Sequence, residues 1–280
     1  PNLKRVDLDF EKLFQFWFNR GFLKLEKISW DTPASVLAKI IVYEAVHEIN
    51  GWEDLRSRIH PTDRRCYAFF HPAMKGEPLV FTEVGLVNSI PNSVQALLEP
   101  DRTEISPQEA NTAVFYSISN CQRGLSGISF GNLLIKQVVA DLKLELPNLK
   151  NFVTLSPLPG FSAWLEKQKF AVQDTETLKE QAAFYLMEAK RSNGAPLDPV
   201  SRFHLANGAQ IFDVHANADT SPNGLYQSRG VMVNYLYEFS AIEPNQELFG
   251  STGEVVASVQ MKTRLKSFKR NQKSGSDFKT

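Results

Sequence analysis

The chain has 280 residues, room for one large domain or two modest ones, and its hydrophobic (42%) and charged (22%) shares are those of an ordinary globular protein. Lys+Arg and Asp+Glu both number 31, so no net field draws the chain to nucleic acid or an anionic membrane. Its two cysteines, Cys66 and Cys121, form no CxxC pair, its five histidines form no HExxH, and no apolar run approaches the roughly 18 residues of a membrane span; this argues against a disulfide scaffold, a zinc site and a transmembrane protein.

In chain order, the first ~50 residues read as helical. Phe10, Leu13, Phe14, Trp17 and Phe18 recur at three- and four-residue spacing. Asp31-Thr-Pro33 supplies a polar cap and a first-turn proline for a second helix through ASVLAKIIVYEAVHEI. From there the period changes. CYAFFH (66–71) and LVFTEVGLV (79–87) are rich in β-branched and aromatic residues and predict two strands around a Gly/Pro loop. EPDRTEISPQEAN (99–111) reads as a surface loop.

AVFYSIS (113–119) predicts a buried strand, followed by glycines at 124, 127 and 131. GNLLIKQVVADLKLEL then places Leu134, Ile135, Val138, Val139 and Leu142 on one helical face, and NFVTL (151–155) is a second short strand. Strand, glycine loop, helix and strand make a βαβ unit with parallel strands. Beyond it FSAWLEKQKF and TLKEQAAFYLMEAK read as surface helices, GAPLDPVS as a linker, GVMVNYLYEFS (230–240) as a long strand and EVVASVQ (254–260) as one more. The basic stretch KTRLKSFKRNQK (262–273) is expected to be a solvated, fraying terminus. The layout is α+β, a mixed sheet flanked by helices behind a short helical segment.

In a βαβ unit both strands end at the same sheet edge, where open α/β sheets bind ligands. The glycine loop leads into a helix N-terminus, whose free N–H groups suit a pyrophosphate, and Ser156 ends the second strand in LSPLPG. A serine before proline is ordinarily a turn former. His204 in RFHLANGA reads, on its own, first as a core histidine bonded to a carbonyl, and His215-Ala-Asn-Ala-Asp219 has an HxxxD spacing that arises often by chance. The residues alone lead to a phosphate-bearing ligand at an α/β edge, with Ser156 close by.

Four stretches together resemble the catalytic domain of the malonyl-CoA decarboxylase family: GEPLVFTEVGL (76–86), FYSISNCQRGLSGISFGNLLIKQVV (115–139), LSPLPGFSAWL (155–165), and RFHLANGAQ (202–210) with GVMVNYLY (230–237). ISWDTPASVLAKIIVYEAVHEI (28–49) resembles that family's junction between helical and catalytic domains. The resemblance implies a GNAT-type N-acetyltransferase-like fold over 63–280, with 1–62 a helical segment left from an N-terminal helical domain. It implies CoA binding by Ser126, Gly127, Ile128, Ser129, Phe130, Gly131 and Asn132, an active-site pair of Ser156 and His204, further contacts from Ser117 and Tyr237, and Lys39 as one more candidate. The implied reaction turns malonyl-CoA into acetyl-CoA and CO2. The thioester takes up the electrons as an enolate, and His204, with an unperturbed pKa of ~6.5, returns a proton. CoA is then part of the substrate, and no metal or other cofactor is expected.

A homo-oligomer is expected, without nucleic-acid or membrane partners. The expected compartment is the cytoplasm, or the mitochondrial matrix in a eukaryote; FKT is no peroxisomal address, and PNLKRVDLDF shows no signal-peptide pattern. The chain departs from the family in a shorter stretch between FSAWL and RFHLANGA, in His215-Ala216 where Asn-Trp is common, and in Ala34 where some animal members carry an intersubunit cysteine. The alternatives are an N-acyltransferase of the same fold and a non-catalytic acyl-CoA-binding protein.

Overall fold

A computed structural model describes residues 2–18, 20–125, 130–170, 172 and 174–276. In chain order the elements are α1 (Asn2–Trp17), β1 (Lys24–Ile28), α2 (Ala34–Tyr43), α3 (Trp52–Ile59), β2 (Arg64–Phe70), β3 (Pro78–Val87), α4 (Gln95–Leu98), β4 (Thr112–Asn120), α5 (Phe130–Glu145), β5 (Asn151–Thr154), β6 (Ser156–Pro157), α6 (Phe161–Gln168), α7 (Thr175–Met187), α8 (Pro199–Ala206), β7 (Gln210–His215), α9 (Pro222–Ser228), β8 (Met232–Leu236), α10 (Ile242–Thr252) and α11 (Val259–Ser276). They gather into two compact units. One holds Pro1–Leu86, Thr103–Ala110 and Phe115–Leu149; the other holds Val87–Arg102, Asn111–Val114 and Lys150–Thr280.

In the first unit β1, β2 and β3 form an antiparallel meander, with Leu25 opposite Phe69 and Cys66 opposite Glu83. The expectation of helix throughout 1–62 fails at β1. KLEKI is a half-exposed edge strand whose Lys and Glu side chains dilute the apolar alternation that marks a strand. The second helix is also shorter than expected. It stops at Tyr43 because Glu44 leaves the helical conformation (ψ 117°) and its Oε1 accepts from the N–H groups of Val46 and His47, both at 2.8 Å. Ile28, Leu37, Ile40, Leu55, Phe70 and Phe81 bury one core between the helices and the meander.

In the second unit β5, β6 and β7 all pair antiparallel with β8. The starts of β4 and β5 lie side by side, since the Asn111 carbonyl accepts from Lys150 N (2.8 Å) and Asn151 N (3.1 Å). With α5 between them in the chain, they are the strand–helix–strand segment expected from the sequence.

β8 covers only the middle of the expected strand, because Gly230 (φ 76°) turns the chain before it. Glu254–Ser258 does not form a strand either. It makes one parallel bridge to Ile211 and runs straight into α11. That helix overturns the expectation of a fraying terminus over its described length. Met261, Leu265 and Phe268 are buried at helical spacing, Phe268 packs on Phe184 of α7 (4.8 Å between ring centroids), and Arg264 pairs with Asp213 and Glu176. The basic composition masked a narrow apolar stripe.

Candidate active site

Local chemistry fixes each part of the site in the second unit. Asp198 caps α8, its carboxylate accepting from Ser201 N at 2.7 Å, and Pro199 occupies the first turn. One and a half turns on, His204 points inward and is 2% exposed. Thr154 ends β5 and Ser156 begins β6, so the alternation of an extended chain puts both hydroxyls on one side. Across the break between β5 and β6, Asn234 of β8 donates its Nδ2 to the Thr154 carbonyl at 2.9 Å. The following turn is tight. A Cβ on Gly160 would come within 2.8 Å of the Tyr185 hydroxyl, so a larger residue there would have to push that side chain aside. Tyr237, just past β8, is anchored by its N–H to the Phe152 carbonyl at 2.8 Å.

These side chains form one line. Thr154 Oγ1 accepts from Tyr235 N (3.3 Å) and from the Ser156 hydroxyl (2.9 Å). Ser156 Oγ is 3.2 Å from His204 Nε2, and His204 Nδ1 is 2.8 Å from the Tyr237 hydroxyl. Since the Ser156 proton goes to Thr154, its oxygen accepts from an Nε2–H. Nδ1 is then the acceptor for the Tyr237 O–H. The Tyr235 ring stacks on the imidazole, with centroids 4.4 Å apart. Burial pushes the His204 pKa down from 6.5 to about 3 and the Tyr237 pKa well up. The resting imidazole is therefore neutral, unlike the near-neutral titration expected from an unperturbed histidine.

Ser156, His204 and Tyr237 are thus brought together. Ser117 and Lys39 belong to the first unit, with partners of their own. Ser117, in β4, gives its hydroxyl proton to the Glu44 carboxylate (2.7 and 2.8 Å). Lys39 pairs with Glu77 and donates to the Gly76 carbonyl. Ser126, Gly127, Ile128 and Ser129 lie outside the described residues; Phe130, Gly131 and Asn132 open α5. His215 and Asp219 serve packing instead of an HxxxD centre. His215 Nε2 holds Asn234 Oδ1 at 2.6 Å, and Asp219 accepts from Ser221 N and Gln95 Nε2.

Comparison with known proteins bears on this arrangement. A family model for the malonyl-CoA decarboxylase C-terminal domain matches residues 21–181 and 166–275. The chain belongs to the malonyl-CoA decarboxylase family. A mitochondrial malonyl-CoA decarboxylase of Anser anser anser is 35% identical over 323 aligned positions, which take in 98% of this chain and 64% of the relative. The chain therefore spans just under two thirds of that relative. The alignment is longer than the chain itself, and the two family matches overlap at 166–181, where the sequence already reads as shorter than the family. The crystal structure of a malonyl-CoA decarboxylase from Agrobacterium vitis superposes with a TM-score of 0.89 at 48% identity, covering 94% of this chain and 72% of that one. A GNAT-like decarboxylase, GphF, solved with isobutyryl-CoA, superposes at 0.54 with 16% identity over 77% of this chain and 98% of its own. At that identity the likeness is one of fold, and the fold is GNAT-like, as expected.

Sequence reasoning missed two partners of the site residues, Thr154 and Glu44. One had a local signal. Thr154 stands two residues before Ser156 in an extended run. Glu44 reaches Ser117 across 73 positions, and nothing local announces it.

Proposed function

We propose that the chain decarboxylates malonyl-CoA to acetyl-CoA and CO2 at the Ser156–His204–Tyr237 centre. The observation that carries this reading is the buried, ordered line of donors ending on a neutral His204, inside a chain of this family. Loss of CO2 breaks the bond between the carboxylate and the α-carbon, and its electron pair passes into the thioester as an enolate. Turning the carboxylate out of the thioester plane aligns that bond with the carbonyl, and Ser156 orients it by turning its hydroxyl proton from the neutral Thr154 oxygen to the incoming carboxylate.

The enolate must then take one proton at carbon. A neutral imidazole suffices, because a thioester enolate is a far stronger base than imidazole or phenolate. Nε2 gives its proton to the α-carbon as Nδ1 receives one from Tyr237. The negative charge that arrived on the substrate carboxylate then rests on the tyrosine oxygen until solvent reprotonates it. His204 is a relay in this scheme, not a resting imidazolium. Ser117, whose proton is committed to Glu44, is given no donor role. The thioester is its own electron sink, so the scheme calls for no further cofactor.

Exposed apolar residues on α1, among them Leu3, Val6 and Phe10, support the expectation of a homo-oligomer. The name of the goose relative supports the mitochondrial alternative, and among the described residues no helix is long and apolar enough to cross a membrane.

The test is incubation of the purified chain with malonyl-CoA and no amine. Acetyl-CoA and CO2 should form in equal amounts, and His204→Asn should lose about 10²–10⁴-fold in kcat. No product, or product only when an amine acceptor is supplied, would overturn the reading in favour of binding or acyl transfer.

A further inference from the structure

The segment that carries Ser156 is joined to β8 by side chains at a point where backbone would ordinarily serve. Tyr237 N donates to the Phe152 carbonyl at 2.8 Å, and Val153 pairs with Leu236. In an antiparallel ladder the next bond of that kind falls two residues along, from Tyr235 N to the Thr154 carbonyl. Tyr235 N goes to Thr154 Oγ1 instead (3.3 Å), and the carbonyl receives the Asn234 amide at 2.9 Å. Pairing resumes at Ser156 and Val233 in the same register. One rung is therefore replaced by two side-chain bonds.

Asn234 is fully buried, and its amide has one consistent orientation. The Thr154 and Pro91 carbonyls, at 2.9 and 3.3 Å, lie against the same end; a carbonyl only accepts, so that end is the NH2. The amide oxygen then faces His215 Nε2, 2.6 Å away, and that nitrogen carries a proton. In the other neutral tautomer Nε2 would offer a lone pair. The amide would turn over, and its oxygen would meet two carbonyls. His215 stands on β7 opposite Met232, which makes it the diagonal neighbour of Asn234 on one face of β8.

We propose that Asn234 is a positioning residue that holds the Thr154–Ser156 segment where the Ser156 hydroxyl meets His204, and that His215 fixes the sense of its amide. The purpose of this brace rests on the decarboxylase reading and deepens it. An ordinary rung would draw the Thr154 carbonyl onto Tyr235 N and carry the Thr154 and Ser156 hydroxyls with it, since both stand on one side of the chain. Ser156 Oγ is 3.2 Å from His204 Nε2, the long end for a hydrogen bond, so a shift of about half an ångström parts them. The brace acts from behind. By strand alternation Asn234 faces away from Tyr235, whose ring stacks on the imidazole.

The test compares His215→Phe, which keeps a ring and removes the donor, with His215→Gln, which returns an N–H near the place of Nε2. Phenylalanine should lower kcat about 10-fold with KM within about twofold, and glutamine should recover most of that loss. In a Ser156→Ala background His215→Phe should add nothing, because its effect passes through the serine. Equal kcat for the two variants, a rise in KM at unchanged kcat, or losses that add in the Ser156→Ala background would overturn the proposal. If His215→Phe does not fold, the wild type still decides: nitrogen NMR should find the neutral His215 ring protonated on Nε2, and a proton on Nδ1 would overturn the proposal. If the wild type releases no acetyl-CoA, the decarboxylase reading fails, and NMR of His204 takes the place of turnover. Its Nε2 signal should move in His215→Phe and return in His215→Gln; a signal unmoved in both would overturn the brace.

Discussion

The two units bury polar groups by opposite means. In the first, charge faces charge: Arg58 gives Nε to Asp54 at 2.8 Å, approaches Glu83 at 3.4 Å, and donates to the carbonyls of His47 (2.8 Å) and Glu48 (2.7 Å). In the second, Thr154, Ser156, His204 and Tyr237 are all uncharged and hydrogen-bond in series. An ion pair of the first kind is committed, because each charge is answered within the fold. A line of neutral groups is uncommitted, and the strongest charge it meets is the one a substrate brings. That difference suits the first arrangement to holding a loop and the second to moving a proton.

The largest expected effect comes from breaking the charged arrangement. Arg58→Met leaves Glu83 and two loop carbonyls without their donor, and above pH 8, where Glu83 is ionised, removing one partner of this buried ion pair costs about 3–5 kcal/mol. Urea denaturation should show that loss. A cost under 1 kcal/mol would mean that Arg58 is better hydrated than its burial implies.

A smaller effect separates the units by pH. Burial first, and the neighbouring Glu44 charge second, push the Glu83 pKa up from 4.5 to about 8. Between those values the folded chain holds the proton more firmly than the unfolded one, so this group's stabilisation is full below pH 4.5 and is lost as pH rises towards 8. His204 works in the opposite sense. Its lowered pKa makes stability full above 6.5, falling as pH drops towards 3. From pH 6.5 to 8 only the Glu83 contribution should move, and Glu83→Gln should flatten the decline in urea midpoint there. A decline unchanged in that variant would assign the slope to other groups.

How much of this was legible beforehand follows the same division. Strong periodicity gave β2, β3, β4, α5 and β5 within a residue or two, because long buried runs leave little choice. Short half-exposed strands were lost: β1 to its Lys and Glu residues, and β7 to its position directly behind a helix. EVVASVQ reads as a strand by composition yet finds one bridge only, because pairing is decided by neighbours and not by propensity. For the site, the resemblance named Ser156, His204 and Tyr237. Protonation states could not be read, since burial moved His204 from the unperturbed value that the sequence suggests. Thr154 went unnoticed because a threonine in a strand has an ordinary structural explanation.

The smallest expected effect tests the far end of the neutral line. Thr154→Val keeps the shape and removes an oxygen that accepts from both Tyr235 N and the Ser156 hydroxyl. The backbone N–H loses a long contact, so the stability cost should be about 1 kcal/mol. The consequence for proton order is larger than that figure suggests. Without Thr154, the Ser156 proton has His204 Nε2 as its nearest acceptor, and the imidazole would have to hold its own proton on Nδ1, against the Tyr237 hydroxyl. Thr154→Val should therefore lower kcat several-fold with little change in melting behaviour, and Thr154→Ser, which returns the oxygen, should restore it. If valine and serine behave alike, Ser156 is not oriented by Thr154, and the direction of the proton line is set from the Tyr237 end.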